Sequence, residues 1–418
     1  MRLKRLICAT SIILTSIGWS ACARANNANA RHPFSFNDIP GALVFFGSVS
    51  NDGQVYAPSN FGGANGCCGT IISVGPDGRA SYIHSFQKHW PLPSTDISNL
   101  LAKGSSYFGF ATNAGIYGEG VAFKIDANGV YSSIFNFDGT EYHAFPKNVM
   151  VGADGAFYGI TYKARKRAIF RLDEDGNYKV IYKFSNLTAD SSISALAENS
   201  LGDFFGLVNE LIKGGGYIFE INSHGLFRKI HQFTASEESE PVEGKLLVKS
   251  DGTIYGVTYY DGAYKHGSIF KIADEKYRLL KSFNGNRSGE TNFVTLLDCG
   301  RSVYGFTRFN RGDLNKVFRI DESDSYAVIH EFSDGSNISG LIKAGKSCKK
   351  LYGIGDSNGP DDSVFVFELS NGNYKRLALL PPQFAGMDGA LFGSVNGYLY
   401  GAGGAIGPAR SIIFRMKE

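Results

Sequence analysis

The chain has 418 residues, 43% of them apolar and 19% charged, with 42 basic side chains against 39 acidic ones. Near-balanced charge supplies no field for nucleic acid or an acidic membrane surface, and this apolar content is that of a globular protein rather than a disordered one. Fifty-two glycines fit a turn-dense all-β chain.

Residues 1–25 read as an export signal. Arg2, Lys4 and Arg5 precede an apolar run from Leu6 to Ala21, and both Ala23-Arg24-Ala25 and Ala28-Asn29-Ala30 have small-x-small cleavage form. The run is too short and wrongly flanked for a stable membrane span. Loss of Arg2, Lys4, Arg5 and Arg24 leaves 38 basic residues against 39 acidic, so the mature chain is close to neutral. Ser20-Ala21-Cys22 also has the outline of a lipoprotein cleavage site with Cys22 as the lipidated residue, although Trp19 stands where such sites usually carry an aliphatic. The expected location is periplasmic, cell-surface or secreted, with a lipid-anchored form as the alternative to free release.

After a short linker at residues 26–32, a single domain is expected over 33–418. An aromatic followed by a small residue recurs eight times at intervals of 47 to 52 residues: Tyr56-Ala57, Phe108-Gly109, Tyr158-Gly159, Phe205-Gly206, Tyr255-Gly256, Tyr304-Gly305, Tyr352-Gly353 and Tyr400-Gly401. So regular a period marks one supersecondary unit copied in tandem. The pair is followed after 12 to 16 residues by Phe, a charged residue and an aliphatic, as in Phe123-Lys124-Ile125, Phe270-Lys271-Ile272 and Phe414-Arg415-Met416, with Ile72-Ser73-Val74 in the first unit. Apolar, polar, apolar is the pattern of a strand with one covered face.

Gly-bearing pairs such as Asp52-Gly53, Asp77-Gly78, Asp154-Gly155 and Asn371-Gly372 flank these landmarks and supply the positive φ of hairpin turns. A Phe closes most units: Phe86, Phe137, Phe184, Phe233, Phe283 and Phe332. In residues 242–290 the strands read as 245–248, 254–258, 269–272 and a run ending at Phe283. No mature segment has helical periodicity over ten residues. The predicted fold is an all-β single β-propeller of eight four-stranded blades, with seven as the alternative count. Its last unit stops at a third strand, and residues 33–37, where Pro33-Phe34-Ser35-Phe36-Asn37 copies Lys281-Ser282-Phe283-Asn284, are expected to complete it and leave no open edge. The glycine after each aromatic is expected to admit a neighbouring backbone where blades converge.

Segments such as 251–258, Asp-Gly-Thr-Ile-Tyr-Gly-Val-Thr, followed by 267–272, Gly-Ser-Ile-Phe-Lys-Ile, resemble the GloVer-type tandem repeat of bacterial exported proteins, as does the Gly-rich loop 60–66. The resemblance covers nearly the whole mature chain. It implies an envelope or secreted protein, and it transfers no catalytic residue. No C-terminal anchor follows Glu418, which leaves lipidation or release.

Export places the cysteines in an oxidising compartment. Cys299 and Cys348 lie one repeat apart at nearly equivalent turns, so a disulfide stapling two blades is a candidate. Cys67 and Cys68 are adjacent, and trans neighbours about 3.8 Å apart at Cα fall below the usual disulfide span. A bond between them would be strained; free thiols or a metal role are the alternatives, and no second Cys or His pair completes a zinc pattern.

In a propeller the loops from second to third strand and from fourth strand to the next blade share one face, and here those are the variable ones. Candidate binding residues on that face are Trp90, Tyr117, Tyr142, Tyr259, Tyr260, Tyr264, His266, Arg311 and Asp313, joined by Phe309. Exposed aromatics mixed with charges stack on sugar rings or grip a protein surface. The histidines share no metal-ligand spacing; His84, His231 and His330 each stand two residues before a closing Phe and read as one repeated core or edge position. Asp173-Glu174-Asp175-Gly176 resembles the start of a calcium loop but coincides with a hairpin turn. Asp356, Asp361 and Asp362 form the densest carboxylate group on the candidate face and read chiefly as solvated loop charge. The expectation is a monomeric, non-enzymatic glycan- or protein-binding propeller without cofactor or metal. The alternative is a polysaccharide-directed hydrolase or lyase with acids near the central channel.

Overall fold

The computed structural model describes residues 47–59, 68–87, 96–97, 100–163, 165–185, 187, 191–210, 215–233, 246–258, 263–264, 267–283, 291–309, 314–344, 348–357, 363–380, 389–405 and 410–418, together with the backbone of 34–40. These residues lie in one compact unit, 31–418. They form eight four-stranded antiparallel sheets and no helix, an eight-bladed β-propeller. Among them no helix is long and apolar enough to cross a membrane.

Each sheet is one repeat, hydrogen-bonded in sequence order. In blade 5 the strands are Leu247–Val248, Ile254–Thr258, Ser268–Ala273 and Lys276–Ser282, so the first strand is shorter than expected and the second agrees residue for residue. Blade 8 differs in its connectivity. Its strands Gly389–Val395, Tyr398–Ala405 and Arg410–Lys417 are completed by Phe34–Pro40 from the start of the domain.

The core is a ring of eight apolar clusters, each spanning one junction between neighbouring blades. The aromatic-small pair and the Phe landmark occupy its centre. Tyr56, Phe108, Tyr158, Phe205, Tyr255, Tyr352 and Tyr400 are buried, whereas Tyr304 is half-buried. Burying one such side chain contributes roughly 1.5–3 kcal/mol.

The register gives the glycine a different role from the one expected. Gly109 stands opposite Phe123, Gly159 opposite Phe170, Gly206 opposite Phe219, Gly256 opposite Phe270, Gly353 opposite Phe367 and Gly401 opposite Phe414. Each Phe ring lies over its glycine, and a Cβ on Gly159 would come within 2.8 Å of the Phe170 ring. The missing side chain therefore admits the cross-strand ring of the same blade, and at Gly206 and Gly401 the first-strand carbonyls of Ala195 and Ala390 come close as well. Blade 1 shows the coupling from the other side: where Ala57 replaces glycine, its partner is Ile72 rather than Phe.

A second regularity shapes the outer edge. In blades 1 to 7 the pairing of third and fourth strands slips by one residue just before the landmark position, and the residue left over is always aliphatic: Ile83, Ile134, Ile181, Ile230, Leu280, Ile329 and Leu377. Such bulges increase local twist.

The closing strand obeys another register. Phe36 pairs with Ile413 and Ile39 with Ser411, and the irregularity falls between them. In blade 5, by contrast, Lys281 pairs with Ile269, and the Phe283 amide donates to the Gly267 carbonyl. Aligning Phe414 with Phe270 puts Phe36 in the place of Lys281 and Ile39 in the place of Phe283. The copy of residues 281–284 in 33–37 is therefore two residues out of register, and the strand runs on to Pro40.

Candidate functional site

The variable loops are best defined at the junction of blades 2 and 3. Blade 2 ends with Tyr131–Asn136 and blade 3 begins with Lys147–Val151, so residues 137–146 form the connecting loop. Asp138 caps its first turn, accepting from the Thr140 amide at 3.0 Å and the Thr140 hydroxyl at 2.6 Å. The hydroxyl bond leads the effects that hold this carboxyl below the usual range. His143 Nδ1 lies 3.4 Å from the same carboxylate, and its ring meets Tyr178 edge-on.

Neighbouring elements fix the rest of the loop. The Phe145 amide donates to the Glu119 carbonyl at 2.7 Å, the Tyr162 amide to the Ala144 carbonyl at 3.0 Å, and the Tyr178 hydroxyl to the Tyr142 carbonyl at 2.6 Å. These bonds hold Tyr142 in the left-handed region, at φ +68°, a conformation a bulky residue adopts only when its surroundings impose it. Its ring is flanked by two cations: Lys183 Nζ lies 4.7 Å from the centroid and Lys166 Nζ 5.9 Å. Lys166 pairs with Glu141, which raises the lysine pKa and lowers that of the carboxyl. Lys163 pairs with Glu119 at 2.5 Å and lies 5.7 Å from the Phe145 ring. Beside it the loop carrying Tyr117 is secured where the Ile116 amide donates to Asn136 Oδ1 at 3.0 Å, and Tyr117 itself is 56% exposed.

Of the residues expected from sequence, Tyr117 and Tyr142 thus lie on loops hydrogen-bonded to one another through residue 119. Tyr264 is 58% exposed on blade 5. Trp90, Tyr259, Tyr260, His266, Arg311 and Asp313 lie outside the described residues, as do Asp361 and Asp362; Phe309 pairs with Thr291 at the end of its strand. Cys22 also lies outside them. Lys163, Lys166 and Lys183 were not singled out from sequence, because their placement beside aromatic rings depends on two blades meeting.

On the opposite face, Cys299 and Cys348 form a disulfide between blades 6 and 7, with 5.5 Å between Cα atoms. Cys68 is buried and disulfide-bonded, so it is not a free thiol; Cys67 lies outside the described residues. Residues 173–176 form a hairpin turn in which Asp173 accepts from the amides of Asp175 and Asn177, and Glu174 pairs with Lys103 at 2.5 Å.

The histidines two residues before a closing Phe bridge neighbouring blades. His84 stacks on Tyr131 at 3.6 Å, His231 on Tyr277 at 4.0 Å and His330 on Tyr374 at 3.9 Å, all within 7° of parallel. Phe135 on Tyr178 and Tyr182 on Phe227 repeat the contact, and Lys281 takes the place over Tyr326.

Comparison with known proteins bears on the fold and the family. The Gloeobacter/Verrucomicrobia repeat profile matches residues 95–316. No protein with a curated description matches the chain. Among solved structures, a puromycin-hydrolyzing peptidase of Mycobacterium tuberculosis superposes with a TM-score of 0.55 at 13% identity, covering 87% of this chain and 57% of its own. Prolyl oligopeptidase B of Galerina marginata gives 0.53 at 10% identity, with 87% and 55% covered. An oligogalacturonate lyase of Vibrio parahaemolyticus gives 0.50 at 11% identity, with 75% and 86% covered. The chain spans little more than half of each peptidase. At these identities the likeness is one of fold.

Proposed function

The chain belongs to the Gloeobacter/Verrucomicrobia repeat family, and from that premise we propose that it is an exported, non-catalytic binding propeller of the bacterial envelope. It engages a glycan or protein partner through the variable-loop face, at the junction of blades 2 and 3. The observation that carries this reading is Tyr142, its carbonyl held by the Tyr178 hydroxyl and its loop by two backbone hydrogen bonds, with Lys166 and Lys183 beside its ring. A rigid aromatic ring between cations, with exposed Tyr117 on the adjoining loop, suits stacking against a sugar ring that carries acidic substituents. Glu119 and Glu141 are each engaged by a lysine and Asp138 by the Thr140 amide and hydroxyl, which favours binding over acid–base chemistry. Export follows from the cleavable signal read in residues 1–25.

The test is a glycan array with the purified mature chain, followed by reducing-end analysis of any polymer retained. Retention without new ends, weakened at least tenfold by Tyr142→Ala, supports the reading. New ends would establish the polysaccharide-cleaving alternative instead, and retention unaffected by Tyr142→Ala would move the site elsewhere. Amino-terminal sequencing of the protein recovered from the periplasm or medium tests the export signal.

A further inference from the structure

On the short-turn face, between blades 6 and 7, an open cleft of about 630 Å³ is lined by Ser302, Tyr304, Arg319, Lys349, Leu351 and Asn371, with the Cys299–Cys348 disulfide in its wall. A cleft of this size takes a small organic ligand. Its chemistry emerges from comparing one repeated position around the ring.

The charged residue after each Phe landmark faces this side of the propeller. Where it is a cation, blades 3 and 5 have a carboxylate in close contact with it, and in blade 2 it stands near one that Lys103 already engages. Lys124 of blade 2 lies 4.0 Å from Glu174 in the turn of blade 3, and Lys271 of blade 5 lies 2.8 Å from Asp324 in the turn of blade 6. Arg171 of blade 3 takes its partner from the first turn of its own blade, Asp154, at 2.8 Å.

Arg319 of blade 6 occupies the same position and has neither partner. Counting from the aromatic landmark, Gly300 stands where blade 3 has Asp154; counting from the Phe landmark, Asn371 stands where blade 3 has Glu174. Among the described residues its carboxylate neighbour is Asp321 of its own blade's turn, whose Oδ2 lies 3.9 Å away while Oδ1 accepts from Ser323 and Ser325. Arg319 Nε is buried without a hydrogen-bond partner. A guanidinium in a water-accessible cleft, with Lys349 on the rim, is a receptor for the carboxylate that the next blade supplies to Lys271 and that the blade 7 turn, Asn371-Gly372, does not supply here. The surrounding groups extend the requirement: Ser302, Tyr304 and Asn371 exchange hydrogen bonds with hydroxyls, and Ile329, Leu351 and Leu369 offer an apolar floor.

We propose that this cleft binds a polyhydroxylated carboxylate of hexuronate size, its carboxyl paired with Arg319. The site is separate from the variable-loop face and stands or falls independently of the reading given for it.

Titration calorimetry with D-glucuronate tests the proposal, with glucose, acetate and sulfate as comparison ligands. One glucuronate is expected to bind per chain, glucose not measurably, and acetate and sulfate at least tenfold more weakly. Arg319→Ala is expected to weaken glucuronate at least tenfold, with Arg319→Lys in between. Asn371→Asp, which installs a carboxylate at the position that Glu174 holds in blade 3, is expected to exclude the ligand while leaving the melting temperature unchanged or higher. This last variant separates loss of the site from loss of the fold. Absence of glucuronate binding overturns the proposal, as does equal binding by Arg319→Ala or sulfate binding as tight as glucuronate.

Discussion

Blades 1 to 7 and the closing blade 8 are held by different means. From blade 1 round to blade 7, six successive junctions carry a ring or cation from one fourth strand stacked on the aromatic of the next, beginning with His84 on Tyr131 and ending with His330 on Tyr374. The series stops at blade 8, where Ala378 of blade 7 occupies the stacking position and Ala80 of blade 1 the receiving one. Blade 8 has instead a strand from the far end of the domain, paired by backbone to Arg410–Lys417.

Polar contacts cross the seam as they do elsewhere. Lys103 Nζ donates to the Gly155 carbonyl at 2.6 Å and Ser200 to the Ser250 carbonyl at 2.8 Å; at the seam the Tyr352 hydroxyl reaches Glu418 at 3.1 Å and Asn396 the Asn51 carbonyl at 2.7 Å. A ring can thus trade side-chain staples for main-chain pairing at one point. Residues 34–40 and 410–417 meet there, and a strand contributed from a distance resists opening through several hydrogen bonds at once.

Deleting residues 33–40 tests that trade most severely. It removes the backbone ladder and exposes the edge of blade 8, and a fall in melting temperature of at least several degrees is expected by differential scanning calorimetry. An unchanged curve would mean that the seam needs no zipper. Gly353→Ala drives a methyl into the Phe367 ring and is expected to cost about 1–3 kcal/mol in urea unfolding, in the range of the disulfide. Adding Phe367→Ile, the combination found in blade 1, should recover part of the loss; full additivity of the two changes would show that the positions are uncoupled.

The disulfide between blades 6 and 7 should add about 2–4 kcal/mol, measured as the difference between Cys299→Ala/Cys348→Ala and the oxidised parent. The smallest effect concerns the stacks. His330→Ala should cost about 1 kcal/mol, and burial holds the imidazoles of His84 and His330 below the ordinary histidine value. The unfolded chain then takes up protons first as the pH falls, so this contribution is complete above about pH 6.5 and declines below it. Melting temperatures between about pH 5 and 7 should show the decline, and His330→Phe, which keeps a ring without a proton site, should reduce it.

Much of this architecture is legible in the chain, because its signals are local. The second and third strands announce themselves by alternation and by glycine turns a few residues away, and the landmark series counts the blades. The position of His84, His231 and His330 is also visible as a repeat, yet its role is not, since each partner lies 44 to 47 residues on, in the next blade. The candidate platform is legible only in part. Tyr117 and Tyr142 stand out as aromatics in variable loops, whereas the lysines beside them are ordinary until strands and loops of different blades are brought together.

The amino-acid sequence alone determined the number of repeats and the strand pattern within each, because alternation and glycine turns act over a few neighbouring residues wherever the blade stands. Tertiary structure alone decided the two-residue offset of the closing strand, the stacks between blades and the placing of Arg319 in the cleft between blades 6 and 7. These depend on segments one repeat apart, or at opposite ends of the domain, whose relative heights are set only when the ring closes.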